Sequence, residues 1–382
     1  MRMNPFNPQL PARPDFFVGR EPEIKEFYNF LNQTIYHSPM NMAITGNRGM
    51  GKTSLLVTFE QMAKENGCLT IRLSNYEGNV SNIIELTEFI SSNLKREVIS
   101  KSIVDGIEEW LKTFKPVIEW NDIAFSIEKQ QIIQELLAER LLKIWDKVKD
   151  KYKAIVIFID EAESLEKVEG SLPFLREVFQ KLSLKANYML VIAGKLNFPE
   201  RISESFSPLN RFFPVYKLER FNNEEISKYL NRKLSSVGVI IDNLTISKLT
   251  LLSEGHPYVL VAMSYLIFDS LNDNENNINL PIVERCMSKI KGKLAQDFFA
   301  PMYHPLSKKA KKIICDISNN IKGLDFTFKE ATNWTKMGGN YLSPYILELT
   351  RKGIINRPER ANYQIFHSLF KNYLKENCVQ QK

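Results

Sequence analysis

Residues Ile44–Leu56 read ITGNRGMGKTSLL, and this stretch decides the fold of the first half of the chain. A short apolar run, Asn41–Thr45, precedes it, and a helical pattern, Lys52–Asn66, follows. Glycines at this spacing let a loop curl so that backbone N–H groups face phosphate oxygens, with a helix N-terminus behind them. The stretch predicts a nucleotide-binding loop made of Gly46, Asn47, Arg48, Gly49, Met50, Gly51, Lys52, Thr53 and Ser54. Lys52 would lie beside the β- and γ-phosphates, and the Thr53 hydroxyl would ligate Mg²⁺.

A second element supports this loop. Ala154–Ile159 is continuously apolar, as in a strand covered on both faces, and it ends in Asp160-Glu161. Ligands of open α/β sheets bind at the carboxyl ends of the strands. Asp160 is therefore the candidate to hold Mg²⁺, and Glu161 the candidate to polarise the attacking water. The alternative is that the two carboxylates only open the next helix.

Strands and helices alternate through the first half of the chain. The patterns predict strands at Asn41–Thr45, Cys68–Ser74, Ala154–Ile159 and Tyr188–Ala193. This alternation predicts an α/β fold of the P-loop NTPase type with a parallel sheet. Pro116–Ile127 reads as a hairpin.

Helical patterns replace the strands after Phe221, which predicts an all-helical lid. We expect four segments: an extended N-terminal arm (1–16), the α/β ATPase domain (17–221), the lid (222–300) and a winged-helix domain (301–382). The winged helix rests on three helices, the third being Ser343–Lys352 with Ser343 as its N-cap and Pro344 at its first position. Two short strands then flank a turn at Pro358–Asn362.

The positive charge is concentrated at the C-terminal end. The whole chain has a net charge of +7, yet residues 305–382 hold 14 Lys and Arg against 6 Asp and Glu. A basic helix-turn-helix module predicts contact with duplex DNA. The candidates near the third helix are Asn340, Tyr341, Ser343 and Tyr345, and those on the wing are Arg357 and Arg360. Phosphate contacts would come from Lys308, Lys309, Lys311 and Lys312. Docking of a protein through the same module is the open alternative.

The apolar runs are too short to cross a bilayer, and the N-terminus lacks the apolar core of a secretory signal. No membrane association is therefore expected. Cys68, Cys286, Cys315 and Cys378 are far apart in sequence. They predict reduced thiols in a cytoplasmic protein.

Taken together, the segments FVGRE (17–21), GNRGMGKTS (46–54) and the strand ending in Asp160-Glu161 resemble the AAA+/STAND branch of P-loop ATPases. They are similar in particular to archaeal-type ATPases and the archaeal origin-recognition initiators. The resemblance implies ATP and Mg²⁺ as cofactors. It also implies that Arg211 senses the γ-phosphate and that Val18, Gly19 and Arg20 pack near the adenine. An ordinary surface arginine and a plain turn remain the alternatives for these two segments.

Two positions depart from the initiators. Lys195 follows the strand after which such ATPases often carry a small polar sensor, so its role stays open. Gly255-His256-Pro257 resembles the GxP motif of the STAND class, which implies that Pro257 packs against the adenine. The alternative for Pro257 is a helix start. This motif favours slow hydrolysis and a switch, and it keeps open a STAND ATPase that forms homo-oligomers on ATP and docks a protein.

Overall fold

A computed structural model describes residues 3–74, 80–100, 127–195 and 209–379. The hairpin predicted at Pro116–Ile127 lies almost entirely outside these residues. The chain divides into two compact units. One is Pro11–Glu219, here called the sheet unit, and the other joins Arg220–Lys382 with Met1–Leu10 and is called the helical unit.

A five-stranded parallel sheet forms the centre of the sheet unit. Its strands are β1 (Met42–Thr45), β2 (Leu69–Ser74), β3 (Ile155–Asp160), β4 (Tyr188–Gly194) and β5 (Val215–Lys217). The spatial order is β2-β3-β4-β1-β5, and every neighbouring pair is parallel. All five strands therefore end at one edge, and β4 separates β1 from β3. The α/β parallel sheet predicted from the sequence is confirmed, and β5 is an addition to the four predicted strands.

Helices cover both faces of this sheet. They are α1 (Glu21–Ile35), α2 (Lys52–Glu65), α3 (Ile83–Ser100), α4 (Ile127–Val148), α5 (Ser171–Leu182) and the short α6 (Leu209–Phe212). Strand β3 shows why its apolar run is continuous. Ile155, Ile157 and Ile159 pack into the core on the side of α3, α4 and α5, whereas Val156 and Phe158 pack on the side of α1 and α2. Because both faces of the strand are buried, neither face tolerates a polar residue.

The helical unit begins with four helices. They are α7 (Asn223–Ser235), α8 (Asn243–Ser253), α9 (Pro257–Asp269) and α10 (Leu280–Leu294). The prediction that strands stop after Phe221 is wrong in one detail. Two-residue strands, β6 (Ile240–Ile241) and β7 (Asn277–Ile278), pair in parallel between these helices. Two residues are too few to show an alternating pattern, so no periodicity predicts these strands.

The C-terminal part contains five helices and a three-stranded antiparallel sheet. After α11 (Ala300–Tyr303), the helices are α12 (Lys308–Asn320), α13 (Phe328–Thr335) and α14 (Gly339–Arg351). The strands are β8 (Asp325–Thr327), β9 (Ile355–Glu359) and β10 (Asn362–Ile365), and β10 lies in the middle. A last helix, α15 (Ser368–Val379), follows.

Helix α14 begins earlier than the sequence indicated. Gly338 is its N-cap, so Ser343 and Pro344 lie inside the helix and the prediction of Ser343 as the cap is wrong. Pro344 lies beyond the first four helical residues, so the helix lacks the backbone hydrogen bond that an N–H at this position would donate. The helical apolar spacing Leu342, Ile346 and Leu349 is buried and extends the pattern back toward Gly339.

Two of the four cysteines correct the prediction of reduced thiols. Cys315 on α12 and Cys378 on α15 form a disulfide across a sequence separation of 63 residues. The two helices pack side by side, which brings together cysteines that no sequence spacing connects. Cys68 and Cys286 are free and buried.

The N-terminal arm has no α-helix between Met3 and Arg13, in keeping with its prolines. Phe6 is 2% exposed and packs against the rings of Tyr229 and Phe268. Lys233 donates a hydrogen bond to the carbonyl of Pro5. Among the described helices, none is long and apolar enough to cross a membrane.

Candidate functional site

The loop Gly46–Ser54 joins the end of β1 to the start of α2, as the sequence predicts. Gly49 and Gly51 have positive φ angles of 78° and 89°, a region that residues with a Cβ rarely adopt. A Cβ on Gly51 would have no atom within 4 Å, so the space beside the helix N-terminus is open. A curled loop with open space at a helix N-terminus fits a bound phosphate group.

Lys52 is the partly buried cation of this loop. Its Nζ donates hydrogen bonds to the carbonyl oxygens of Gly46 at 2.8 Å and Asn47 at 3.0 Å. Burial lowers the pKa of the Lys52 ammonium, and the nearby carboxylates of Glu163 and Asp160 act in the opposite direction. The side chain is thus folded back onto the loop, and a phosphate could replace those carbonyl acceptors.

Thr53 and Asp160 meet across the edge of the sheet. The Thr53 hydroxyl donates to Oδ2 of Asp160 at 2.8 Å, although the two residues are 107 positions apart in sequence. The other carboxylate oxygen of Asp160 accepts the Glu161 N–H at 3.0 Å. A hydroxyl and a carboxylate are oxygen ligands of the kind that Mg²⁺ prefers, alongside water and phosphate oxygens. These two side chains therefore fit the magnesium position that the sequence predicts.

Glu161 has a constrained backbone. Its φ angle is 53°, in the left-handed region, and its side chain is exposed at the end of β3. Left-handed non-glycine residues cost free energy and are typical of functional turns. The carboxylate is thus presented outside the sheet, where a water molecule can reach it. Glu161 is also the N-cap of a 3₁₀ helix, Ala162–Lys167, so the two carboxylates do open the next helix, and the role of Glu161 as the base stays a prediction.

Glu163 and Lys195 form an ion pair beside this site that the sequence did not reveal. Lys195 Nζ lies 3.3 Å from Oε1 of Glu163. Lys195 follows β4, the strand between the two strands that carry the loop and Asp160. The position of Lys195 directly after that strand pointed to the site, but nothing in the sequence connected Lys195 to Glu163.

The segment Val18-Gly19-Arg20 lies against the loop. Val18 is buried, and Arg20 is 5% exposed and donates from its guanidinium to the Met50 carbonyl at 3.3 Å. The hydroxyl of Ser54 accepts a hydrogen bond from the Ala12 N–H at 3.0 Å. Arg20 therefore contacts the loop, whereas the predicted packing of this segment near an adenine stays a prediction.

Arg211 lies exposed on helix α6. None of the contacts described for the loop involves it. Its role as a sensor of the γ-phosphate stays a prediction.

The Gly255-His256-Pro257 motif is a fixed corner of the helical unit. Gly255 has a φ angle of 71°, and a Cβ there would come within 2.3 Å of the Phe221 carbonyl oxygen. Pro257 opens helix α9 at its first position, and His256 is 2% exposed. Pro257 therefore does start a helix, as the alternative holds. Its contact with an adenine stays a prediction.

The predicted DNA contacts are mostly at the surface. Asn340, Tyr341 and Ser343 are exposed on the first turns of α14, and Tyr341 is 76% exposed. Tyr345 is half-buried. On the strands, Arg357 and Arg360 are exposed, and the Arg357 guanidinium lies over the Tyr363 ring at 6.0 Å.

A parallel sheet with a glycine loop after β1 and a carboxylate after β3 defines a P-loop ATPase. Residues 17–192 match the AAA ATPase domain family. The sheet unit therefore contains an ATPase domain of the AAA type.

Comparisons with known proteins extend along the whole chain. A Walker-type ATPase of Pyrococcus abyssi superposes with a TM-score of 0.65, covering 97% of this chain and 99% of that chain at 16% identity. The ORC1 protein of Aeropyrum pernix in complex with DNA gives a TM-score of 0.49, covering 96% of this chain and 94% of that chain at 15% identity.

A curated relative is an uncharacterized HTH-type transcriptional regulator of Methanocaldococcus jannaschii. It is 22% identical over 249 residues, which are 63% of this chain and 58% of the relative. The match thus spans less than two thirds of the length of that protein.

Proposed function

We propose that this chain is an ATP-controlled switch that binds duplex DNA through a C-terminal winged helix. The ATPase site is in the sheet unit, and the proposed DNA-binding surface is in residues 301–382. The observation that carries the proposal is the concentration of exposed basic side chains at the C-terminal end, since residues outside 305–382 have a net charge of about −1 by the same count.

The roles proposed for the ATPase site follow from its contacts. Lys52 exchanges its loop carbonyls for phosphate oxygens, and Thr53 with Asp160 holds Mg²⁺. When bound, the metal neutralises charge that develops on the transferred phosphoryl group. Glu161 orients the attacking water from its exposed position at the end of β3 and accepts its proton.

The C-terminal arrangement supports a winged helix. Three helices are followed by a ribbon of β9 and β10, as in winged forms of the helix-turn-helix. The buried face of α14 holds Leu342, Ile346 and Leu349, which leaves Asn340 and Tyr341 on the solvent side. In helix-turn-helix proteins the N-terminal residues of the recognition helix contact base edges. The transcriptional-regulator relative supports the same reading.

Charges around α14 suit a phosphate backbone. Lys308, Lys309 and Lys312 on α12 are exposed, and Lys311 is half-buried with its ammonium over the Tyr303 ring at 5.5 Å. Arg357 and Arg360 extend from the ribbon. Each cation that contacts a phosphate releases a counterion, which makes the affinity depend on salt.

An ion pair and its neighbouring hydrogen bonds in the helical unit support the proposed nucleotide-controlled switch. Within the helical unit, Arg220 donates to the Glu254 carboxylate at 2.9 Å and also to the Phe366 carbonyl. Glu254 also accepts the Ser368 N–H at 2.8 Å. These contacts connect the corner at Gly255–Pro257 to the segment that follows β10. A movement of this corner on nucleotide binding would thus be transmitted to the proposed winged helix.

The test is a titration of a fluorescein-labelled duplex of about 30 base pairs, followed by anisotropy. It is run without nucleotide, with ADP and with a non-hydrolysable ATP analogue, each at three salt concentrations. The affinity should fall steeply with salt and differ between nucleotide states. In the double variant Arg357→Ala/Arg360→Ala, the slope of log K against log salt should decrease by about 2, at roughly 0.9 per phosphate contact.

The matched control removes the same charge from the sheet unit. Lys25→Ala/Lys143→Ala replaces two exposed lysines on α1 and α4 and should bind like the wild type. If the wild type binds no duplex in any nucleotide state, the DNA proposal fails. If both double variants lose the same slope, binding is non-specific attraction by the whole molecule.

A second candidate is a STAND-type ATPase that oligomerises on ATP and docks a protein through the same C-terminal module. The Gly255-x-Pro257 corner favours it, because its sequence resembles the motif of that class. This candidate predicts an increase of mass on adding ATP in the absence of DNA, measured by light scattering after gel filtration. A constant monomer mass with every nucleotide would count against it.

A further inference from the structure

The strand order places Lys195 between the two halves of the ATPase site. β4 lies between β1, which leads into the phosphate loop, and β3, which ends at Asp160. Neighbouring strands are about 4.8 Å apart, so the first residue after β4 lies within reach of groups that follow both other strands. Lys195 is that residue. Glu163 stands on the 3₁₀ helix that follows β3.

The pair is asymmetric in its burial. The Lys195 side chain is 57% exposed, whereas that of Glu163 is 24% exposed. Oε1 of Glu163 faces the ammonium at 3.3 Å, but its Oε2 is buried and has no hydrogen-bond partner within the part of the chain that the structure describes. Keeping a carboxylate oxygen buried without a partner costs free energy. Such a group persists where its charge serves a function.

Both members of the pair act electrostatically on Lys52. After burial, which lowers the pKa of the Lys52 ammonium, Glu163 exerts the largest influence, ahead of Asp160. Lys195 acts on the same ammonium in the opposite direction. The pair is therefore close to the cation that the phosphate must meet, although the Lys52 ammonium bonds only loop carbonyls among the contacts described.

We propose that Glu163 is a positioning residue that holds the Lys195 ammonium at the terminal-phosphate end of the ATPase site. Lys195 then supplies a second cation, which distinguishes a triphosphate from a diphosphate. Glu163 neither touches the phosphate nor accepts a proton. It limits the conformations of a long, exposed lysine that would otherwise lose entropy when the nucleotide orders it. The inference concerns the ATPase site alone and does not depend on DNA binding.

Both substitutions should lower kcat about fivefold, because each removes the positioned ammonium from the terminal phosphate, but they should affect nucleotide binding differently. Lys195→Met removes the cation, so the preference for ATP over ADP should fall about fivefold to tenfold, within the range of a charged contact. Glu163→Gln keeps the shape and removes the charge that positions Lys195. Its ATP affinity should stay within about threefold of the wild type, because one less negative charge faces the nucleotide, while kcat falls about fivefold.

A double-mutant cycle decides whether Glu163 acts through Lys195. The assay measures steady-state ATP hydrolysis and the binding of ATP and ADP, all without DNA. In the Lys195→Met background, Glu163→Gln should change kcat by less than about twofold, since residues that act as one unit are non-additive. The same fivefold loss in both backgrounds would overturn the proposal, because Glu163 would then act independently of Lys195.

A control pair separates positioning from stability. Lys181 and Glu135 form another lysine–glutamate pair at 3.6 Å on α5 and α4, with Lys181 at the end of α5 that leads toward the start of β4. Lys181→Met and Glu135→Gln should leave kcat and the ATP/ADP preference unchanged. Glu163→Asp, which keeps the charge, should recover part of kcat. If Glu163→Gln lowers the melting temperature and Glu163→Asp recovers neither property, the residue is structural and the proposal is wrong.

Discussion

Replacing Gly255 by alanine tests the corner of the helical unit most directly. The φ angle of 71° is unfavourable for alanine, and the new Cβ would lie 2.3 Å from the Phe221 carbonyl oxygen. Real Cβ contacts essentially never fall below 3.0 Å, so the backbone must move. The movement also disturbs the hydrogen bond from the Phe221 N–H to the Gly255 carbonyl at 2.8 Å. Together these effects should destabilise the helical unit by about 3–5 kcal/mol.

A second glycine provides a control of opposite sign. Gly292 lies inside helix α10, and a Cβ there would meet no atom within 4 Å. Gly292→Ala should therefore stabilise the same unit by about 0.5–1 kcal/mol.

Urea unfolding gives the stability of each variant, and hydrogen exchange of the amides in α8 and α9 assigns the change to the corner. If Gly255→Ala is as stable as the wild type, the close approach of Phe221 is not a constraint. If Gly292→Ala destabilises the protein as well, the close contact with Phe221 is not the reason for the loss of stability in Gly255→Ala.

Three further predictions concern the ATPase site, the disulfide between Cys315 and Cys378, and the buried His367. Lys52→Ala should abolish ATP binding in a calorimetric titration, whereas Glu161→Gln should keep binding and lower turnover; wild-type turnover in Glu161→Gln would show that another group is the base. Reduction of the disulfide between Cys315 and Cys378 should lower the free energy of unfolding by about 4 kcal/mol, from the loop of 63 residues that it closes; the double serine variant should be insensitive to reductant. Burial lowers the pKa of His367, so its neutral form is favoured on folding, and the free energy of unfolding should fall as the pH drops below 6.5, the ordinary pKa of histidine; His367→Gln should flatten the pH profile in that window.

The chemistry of His367 explains the direction of the last effect. Its Nδ1 accepts the Leu369 N–H at 3.1 Å, so the proton of the neutral ring is on Nε2, which donates to the Ser253 carbonyl at 3.0 Å. Protonation would put a hydrogen on Nδ1 and remove that acceptor. Glu254 opposes the shift, but burial outweighs it. The ring is therefore held neutral by both packing and hydrogen bonding.

The sequence predicted what depends on local spacing. The glycine loop, the buried strand ending in Asp160, and the helices around them follow from short-range patterns, and these elements formed within a few residues of their predicted bounds. The meeting of Thr53 with Asp160 was also foreseeable, because parallel strands bring their carboxyl ends to one edge. A pattern of this kind needs no knowledge of side-chain packing.

Contacts between distant segments with no pattern were not predictable. The disulfide joins cysteines on α12 and α15, and the pair of Glu163 with Lys195 depends on which strand lies between β1 and β3. Strand order is fixed by the packing of the whole sheet, and several orders satisfy the same hydrophobic periodicity. The early start of α14 was missed for another reason, since Ser343 followed by Pro344 is a strong local signal for a helix start that the buried face of the helix overrides.

The corner at Gly255–Pro257 requires particular residues at positions 254 and 255. Glycine is needed at 255 because the Phe221 carbonyl leaves no room for a Cβ, and the left-handed Glu254 directs its carboxylate to Arg220 and to the Ser368 N–H. Burial acts to raise the pKa of Glu254, the hydrogen bonds from Ser368 and Arg220 act to lower it, and the pKa lies below its ordinary value. An ionised carboxylate at that position is therefore part of the folded state at neutral pH. Arg220 and Glu254 bind both the corner and the segment after β10. The corner and this segment therefore cannot move independently unless the Glu254 carboxylate loses its partners.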